Sequence, residues 1–248
     1  APAGTRVTPH LYGKFCEHLG ANIYHGMEAQ ILLNCTFGAW RFAAGTGHPD
    51  GGVQAESDRD KITQRITAYA DRHGWPDPAP VIDAFLTGGA YGWFRIDPEA
   101  AVRLSPDAGP HGDRAQRVEV VHKGGIGQWT YLPLHHTRTY AYRIVARATA
   151  PCRLALDLAP VGEAGLAGAG VELSLTAKWQ TLTGSIRMLD TAPVDGLYRF
   201  ALTSETAVDV VLDRVLLYPD DHVNGADPDV IRRLQDAGLP LLRWPGGN

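Results

Sequence analysis

Hydrophobic and polar positions follow different patterns in successive parts of this chain of 248 residues. Residues 6–16 carry β-branched and aromatic side chains without helical periodicity, which predicts a strand bent at Gly13. Over residues 60–72, apolar side chains recur every three or four positions, as in a short amphipathic helix. The stretch 74–80 holds three prolines and is predicted to be turn material that ends this helix.

The middle of the chain, from about residue 81 to residue 220, has the pattern of an antiparallel β-sandwich. Short β-rich runs follow one another with turn residues between them, and over 140–147 one face of the run is apolar and the other is partly polar. The predicted strands are 92–96, 116–122, 128–134, 139–148, 152–158, 170–175, 180–188, 196–204 and 208–218.

Near the carboxyl terminus the pattern changes again. Asp227 followed by Pro228 predicts a helix start, because the Asp side chain satisfies free N–H groups and proline presets the first helical φ. An apolar stripe follows over 230–237, and Gly238 is placed to end the helix. Residues 239–244 are mostly apolar, which is typical of a parallel strand buried on both faces.

These patterns predict an α/β domain interrupted by a β-sandwich insert. The α/β part shows at most two strands and one or two helices. A (β/α)8 barrel repeats its strand–helix unit eight times, so any such barrel is incomplete in this chain.

Composition and charge exclude several classes of partner. Hydrophobic residues make up 44% and charged residues 20% of the chain, as in an ordinary globular protein. The formal net charge of −4 and the lack of a Lys/Arg run argue against nucleic acid and against an anionic membrane surface. No apolar stretch approaches the roughly 18–20 residues that cross a bilayer. The compartment stays open, with an extracellular location favoured over a cytoplasmic one, and a homo-oligomer also stays open.

The sequence indicates neither a metal nor a cofactor. The three cysteines, Cys16, Cys35 and Cys152, are too few and too widely spaced for a disulfide framework, and no Cys-x-x-Cys pair is present to hold zinc. We expect them to be buried as apolar residues rather than to act as nucleophiles. Asp213 is a candidate for a structural calcium site, but a single carboxylate is not enough, since calcium takes about six or more oxygens.

Two motifs at the ends of the predicted α/β part resemble those of a known enzyme family. Residues 11–20, Leu-Tyr-Gly-Lys-Phe-Cys-Glu-His-Leu-Gly, resemble the opening strand of family 51 glycoside hydrolases, the α-L-arabinofuranosidases. Residues 242–248, Leu-Arg-Trp-Pro-Gly-Gly-Asn, resemble their second barrel strand. Residues 22–34 are similar to the subset of this family that carries a β-sandwich between the first strand and the first helix of the barrel.

The sandwich itself resembles carbohydrate-binding modules of families 4 and 9, at the turn 125–128, at Trp179 and over 211–219. The resemblance implies the start of a (β/α)8 barrel interrupted by a jelly-roll sandwich. The expected division is 1–44 for the first barrel strand and pocket loop, 45–89 for a linking region with a short helix, 90–220 for the sandwich, and 221–248 for the first barrel helix and second barrel strand.

The resemblance also implies a carbohydrate substrate and two residues that bind it. By position in the family motifs, Glu17 and Asn248 hydrogen-bond hydroxyls of the furanose in the −1 subsite. A carboxylate accepts hydrogen bonds from hydroxyls, and an amide both donates and accepts, so the pair can orient a sugar. The residues that support this pocket are His18, Trp244, Gly246 and Gly247.

The catalytic pair is expected outside this chain. Retaining hydrolysis uses two carboxyl groups about 5–5.5 Å apart. In the family the acid/base glutamate follows an asparagine, and no Asn-Glu dipeptide occurs in these 248 residues. We therefore expect a second polypeptide to carry the rest of the barrel with the catalytic glutamates. A non-catalytic carbohydrate-binding protein and an inactive structural subunit remain the alternatives, and within the enzyme class another furanose remains open.

Three tryptophans of the predicted sandwich are the candidate stacking platforms for a glycan. Trp93, Trp129 and Trp179 each offer an aromatic face on which the C–H face of a sugar can pack. Core packing is the commoner use of such a side chain.

Overall fold

The computed structural model of the chain describes residues 14–15, 26–37, 56–97, 101–162, 168–240 and 242–243. It forms two compact units. The end unit combines Ala1–Gln30 with Tyr218–Asn248, and the sandwich unit is the continuous stretch Ile31–Leu217. The fourfold division expected from the sequence stays a prediction.

The secondary structure is mainly β, with three helices in the part of the chain that is described. In chain order the elements are β1 (Lys14–Phe15), α1 (Glu56–Arg72), α2 (Ala79–Leu86), β2 (Phe94–Ile96), β3 (Val102–Gly109), β4 (Gly112–Val120), β5 (Gly124–Tyr131), β6 (Thr139–Ala148), β7 (Cys152–Pro160), β8 (Ala169–Leu175), β9 (Gln180–Arg187), β10 (Leu197–Ser204), β11 (Val208–Pro219), α3 (Pro228–Asp236) and β12 (Leu242–Arg243).

The sandwich unit consists of two five-stranded antiparallel sheets. One has the strand order β2-β5-β10-β7-β8 and the other β3-β4-β11-β6-β9. The predicted antiparallel sandwich is thereby confirmed. Both sheets place strands distant in sequence side by side, as in β10, which lies between β5 and β7.

The core lies between the inner faces of the two sheets. In the first sheet, Phe200 pairs with Leu158 and Leu202 pairs with Leu156, and all four side chains are buried. In the second sheet, Tyr140 is fully buried. Apolar residues at every second position therefore face inward, and this burial of apolar surface is the main force that holds the sheets together.

One strand of the sandwich was not predicted. β3 pairs with β4, and Val102 and Leu104 are buried on its inner face. Pro106 interrupts its pattern, and proline, which lacks an N–H, argues against a central strand. β3 lies at the edge of its sheet, where a strand has one unpaired side and tolerates the missing donor.

The helices of the sandwich unit are longer and more numerous than predicted. The predicted helix over 60–72 begins earlier, at Glu56, and buries Ile62, Ile66 and Ala70 as its periodicity indicated. α2 was expected to be turn up to Pro80. The prolines of this stretch do not prevent a helix here, because they fall at its amino end, where backbone N–H groups have no partner within the helix.

Arg95 connects α2 to strands β2 and β3. Its side chain is 6% exposed. The guanidinium donates to the Val102 carbonyl at 3.0 Å, to the Asp83 carboxylate at 3.1 Å and to the Thr87 hydroxyl at 2.6 Å. The charge is thus matched by one carboxylate and the remaining donors by oxygens, which lets a cation lie under the protein surface.

The sandwich unit is closed by the segment 31–37, which lies against β5 and β11. The Ile31 N–H donates to the Leu217 carbonyl at 3.0 Å, so the first and last residues of the unit are hydrogen-bonded to each other. Gln128, fully buried, accepts from the Leu33 N–H at 2.6 Å and donates to the Leu33 carbonyl at 2.9 Å. One amide side chain thereby satisfies both backbone groups of Leu33, as a neighbouring strand would.

The end unit contains a two-stranded parallel sheet and one capped helix. Lys14 pairs with Leu242, and Phe15 with Arg243. The α3 helix begins as predicted, because the Asp227 carboxylate accepts from two backbone N–H groups of its first turn. Gly238 follows the helix with a φ of 57°, a left-handed conformation that suits glycine. Among the described residues, no helix is long and apolar enough to cross a membrane.

We predict that Gln128→Leu destabilises the sandwich unit by about 2–4 kcal/mol, because the Leu33 N–H and carbonyl would both lose their partner in a buried site. Chemical denaturation of the wild-type and variant chains measures this difference. Gln64→Leu is the matched control, since Gln64 is exposed on α1 and the same change there should stay within about 0.5 kcal/mol. Equal stability of the two variants would contradict the role of Gln128.

Candidate functional site

The two strands that carry the enzyme-like motifs lie side by side. β1 and β12 pair in parallel, although more than 200 residues separate them in sequence. Because paired parallel strands end at the same edge of their sheet, the chain leaves both strands at one edge. In α/β folds, this carboxyl edge is where ligands bind.

The residues predicted to bind the sugar lie outside the described residues. They are Glu17, His18, Trp244, Gly246, Gly247 and Asn248. In sequence, Glu17 comes shortly after β1 and the Pro-Gly-Gly-Asn motif shortly after β12. The roles of these side chains stay predictions, and the pairing of β1 with β12 is the structural observation that bears on them.

Two of the three candidate tryptophans are used for packing. Trp93 is fully buried, and its indole N–H donates to the Asn34 carbonyl at 3.3 Å. Trp129 is half-buried, with its ring centroid 4.4 Å from that of Phe94 and 5.5 Å from that of Trp75. Trp93 therefore packs in the core, and the Trp129 ring packs against aromatic neighbours of the sandwich unit.

Trp179 is the tryptophan that stays a candidate platform. It is half-buried in the turn before β9, and the Arg147 guanidinium carbon lies 5.2 Å from its ring centroid. A stacked guanidinium covers part of the ring and is attracted by its negative face. Arg147 Nε is buried and has no hydrogen-bond partner within the described residues.

Asp213 is an anchor for a turn. Its carboxylate is buried, accepts from the His111 backbone N–H at 3.3 Å and lies 2.8 Å from His111 Nδ1. A Cβ at Gly109 would come 2.0 Å from the same carboxylate, so the chain needs glycine there. Asp213 thereby holds the β3–β4 turn against β11. These contacts account for its burial without calcium.

The two described cysteines, Cys35 and Cys152, are partly buried and pack against the core of the sandwich unit, in line with the expected packing role. Burial raises the pKa of the Cys152 thiol, which disfavours the nucleophilic thiolate. Cys16 lies outside the described residues.

A groove of about 530 Å³ lies on the outer face of the first sheet, over β7, β8 and the end of β10. Asp157, opposite Gly170, forms its floor. Arg153 and Glu172 lie at the rim and form an ion pair of 3.1 Å. Thr203 lines the other side, from β10.

Asp157 is a partly buried acidic side chain that lines this groove. Partial burial raises the pKa of its carboxyl group, and the nearby Arg199 guanidinium opposes this shift by favouring the charged form. A Cβ at Gly170 would lie 2.5 Å from Asp157 Oδ1, so glycine leaves the space that the carboxylate occupies.

This groove was not predicted from the sequence. Alternation along β7 shows that Asp157 faces away from the core, but the groove forms only where β7 lies between β8 and β10. That strand order depends on pairings between distant residues, which single-sequence patterns do not reveal.

Comparison with known proteins shows similarity of fold. No protein-family model matches the sequence, and no curated protein sequence matches it. Among solved structures, the chain is similar to the arabinose-bound α-L-arabinofuranosidase MgGH51, with a TM-score of 0.64 and 17% identity over 97% of this chain. The chain spans 35% of that enzyme's length. At this identity the likeness establishes the fold alone.

Isolated carbohydrate-binding modules are more distantly similar. A family 4 module has a TM-score of 0.39 and 20% identity, and covers 52% of this chain and 86% of its own. The CBM22-1 xylan-binding domain of Paenibacillus barcinonensis Xyn10C has a TM-score of 0.42 and 13% identity, and covers 55% of this chain and 90% of its own.

We predict that Asp157→Asn raises the thermal midpoint at pH 7 slightly, by about 2 °C or less. The pKa of Asp157 is raised in the folded state, so its ionisation costs stability at pH values above the folded pKa, and this cost disappears below the unfolded pKa of about 3.8. The gain should therefore vanish at pH 3. Calorimetry at both pH values, with Asp195→Asn as an exposed control, measures this. A lower midpoint at pH 7 would contradict the burial penalty.

Proposed function

We propose that this chain is part of a retaining glycosidase that releases α-L-arabinofuranosyl residues from arabinose-containing polysaccharides or oligosaccharides. The observation that carries the proposal is the parallel pairing of β1 with β12. This pairing supports the proposal that the Glu-His-Leu-Gly and Pro-Gly-Gly-Asn motifs, which follow these strands in sequence, meet at the same edge of the sheet. The fold similarity to an arabinose-bound arabinofuranosidase over 97% of the chain also supports it.

In this proposal the chain supplies the groups that hold the furanose. The Glu17 carboxylate accepts hydrogen bonds from sugar hydroxyls, and the Asn248 amide donates to one hydroxyl oxygen and accepts from another. Gly246 and Gly247 let the backbone approach the sugar without a Cβ in the way. These contacts fix the ring so that its anomeric carbon faces the catalytic carboxyl groups.

The catalytic carboxyl pair belongs, in this proposal, to barrel strands beyond these 248 residues. One group protonates the leaving oxygen, and the other attacks the anomeric carbon to form a covalent glycosyl intermediate, which water then hydrolyses. The chain spans about a third of the length of the arabinofuranosidase to which it is similar, which leaves room for such strands in the complete enzyme.

The test is hydrolysis of 4-nitrophenyl α-L-arabinofuranoside by the complete natural protein. We expect Glu17→Gln to lower kcat/KM roughly 10- to 150-fold, the effect of losing hydrogen bonds to a charged acceptor worth about 1.5–3 kcal/mol. Glu119→Gln is the matched control, because Glu119 lies in an exposed ion pair with Arg103. The proposal fails if the protein leaves aryl furanosides intact, or if Glu17→Gln is as active as the control.

The second candidate function is that of a non-catalytic carbohydrate-binding protein. The observation that favours it is the groove on the outer face of the sandwich unit. This function predicts oligosaccharide binding that Glu17→Gln does not affect, together with no hydrolysis. Calorimetric titration of the Glu17→Gln chain with oligosaccharides separates the two functions.

A further inference from the structure

The groove over β7, β8 and β10 has the size of a ligand site. Its volume of about 530 Å³ falls within the roughly 300–1,000 Å³ that small-molecule sites occupy. Its floor is kept low by small residues, since Ala155 lies between Thr203 and Glu172 in the sheet and Gly170 lies opposite Asp157. A ligand can therefore reach the sheet surface between longer side chains.

The floor of the groove presents a carboxylate that lacks a hydrogen-bonding partner among the described residues. Asp157 is partly buried and makes no hydrogen bond there, although its charge is near that of Arg199. A carboxylate has about four acceptor positions, and no Asp157 oxygen is among the buried side-chain atoms that lack a partner, so these positions are reached from the groove. Hydroxyl groups of a ligand that fills the groove would donate to them.

The charges around the groove indicate a neutral ligand. Glu172 is neutralised by Arg153 at 3.1 Å, and Glu205 by Lys123 at 2.9 Å. Asp157 has Arg199 nearby, so cations and anions balance. An ionic ligand of either sign would lie near a side chain of like charge, which repels it. A neutral polyol can use the same side chains as hydrogen-bond donors and acceptors.

We infer that this groove is a saccharide-binding site of the sandwich unit, in which Asp157 accepts hydrogen bonds from neighbouring hydroxyls of a neutral sugar. Arg153 and the Thr203 hydroxyl are the donors to other sugar oxygens, and the exposed Ala155 methyl group offers apolar contact for the C–H face of the ring. This inference rests on the second candidate function, because it names the residues through which the sandwich would bind carbohydrate.

Calorimetric titration of the full chain with neutral trisaccharides tests the site. The probes are xylotriose, cellotriose and α-1,5-arabinotriose, with trigalacturonate as the charged comparison. We expect at least one neutral trisaccharide to bind, trigalacturonate to bind at least tenfold more weakly, and Asp157→Ala to weaken neutral binding by roughly 10- to 100-fold. Asp157→Asn, which keeps the shape of the side chain, should also weaken binding.

Two controls make the outcome specific. Asp195→Ala, an exposed aspartate outside the groove, and Trp179→Ala, which removes the aromatic platform before β9 in the other sheet, should both leave the affinity unchanged. Binding that survives both Asp157 variants but is lost in Trp179→Ala overturns the groove as the site and leaves the second candidate function standing. If none of the neutral trisaccharides binds, the groove and the second candidate function both fail, while the hydrolysis assay still decides the first.

Discussion

The hydrogen bond between the Ile31 N–H and the Leu217 carbonyl is the constraint on which the organisation of this chain depends. It joins the first and last residues of the sandwich unit, so the chain enters and leaves that unit at one place. A domain whose ends are close together can be inserted into another fold without separating the residues on either side of it. The pairing of β1 with β12, across the whole length of the sandwich in sequence, is consistent with such an insertion.

Backbone hydrogen bonds to side chains reinforce this closure. Gln128 satisfies the Leu33 backbone on both sides, and Trp93 donates to the Asn34 carbonyl. Asn34 has a φ of 50°, unusual for a residue other than glycine, and its amide donates to the Tyr91 carbonyl at 3.2 Å. The segment before the first helix of the unit is thus held by polar groups buried within the sandwich, where each bond would be costly to lose.

Local patterns predicted those elements that are stabilised by local contacts, and those in which apolar and polar residues alternate regularly. The strand Thr139–Ala148 begins and ends where its alternation indicated, and Asp227, Pro228 and Gly238 bound α3 as their cap chemistry required. β3 and α2 were missed because prolines argue against strands and helices alike unless the sheet edge or the helix start is known. Edge position and helix start are set by tertiary structure, which overrides local preference.

The two candidate sites, at the edge of β1 and β12 and in the groove at Asp157, also differ in whether the sequence could predict them. Adjacency of the two motif-bearing strands could be anticipated from the family resemblance, in which they correspond to the first and second barrel strands. The groove at Asp157 could not, since its walls come from three strands whose neighbours are set by long-range pairing. Nor could the packing roles of Trp93 and Trp129 be predicted, because the aromatic rings and the backbone carbonyl that they contact come from other segments of the chain.

A crystal structure of the complete protein soaked with L-arabinose tests the central claim most directly. The account predicts one arabinofuranose at the carboxyl edge of β1 and β12, with its hydroxyls about 2.5–3.2 Å from the Glu17 carboxylate and the Asn248 amide. A bound sugar that touches neither of these residues, in a structure where both are ordered, would contradict it.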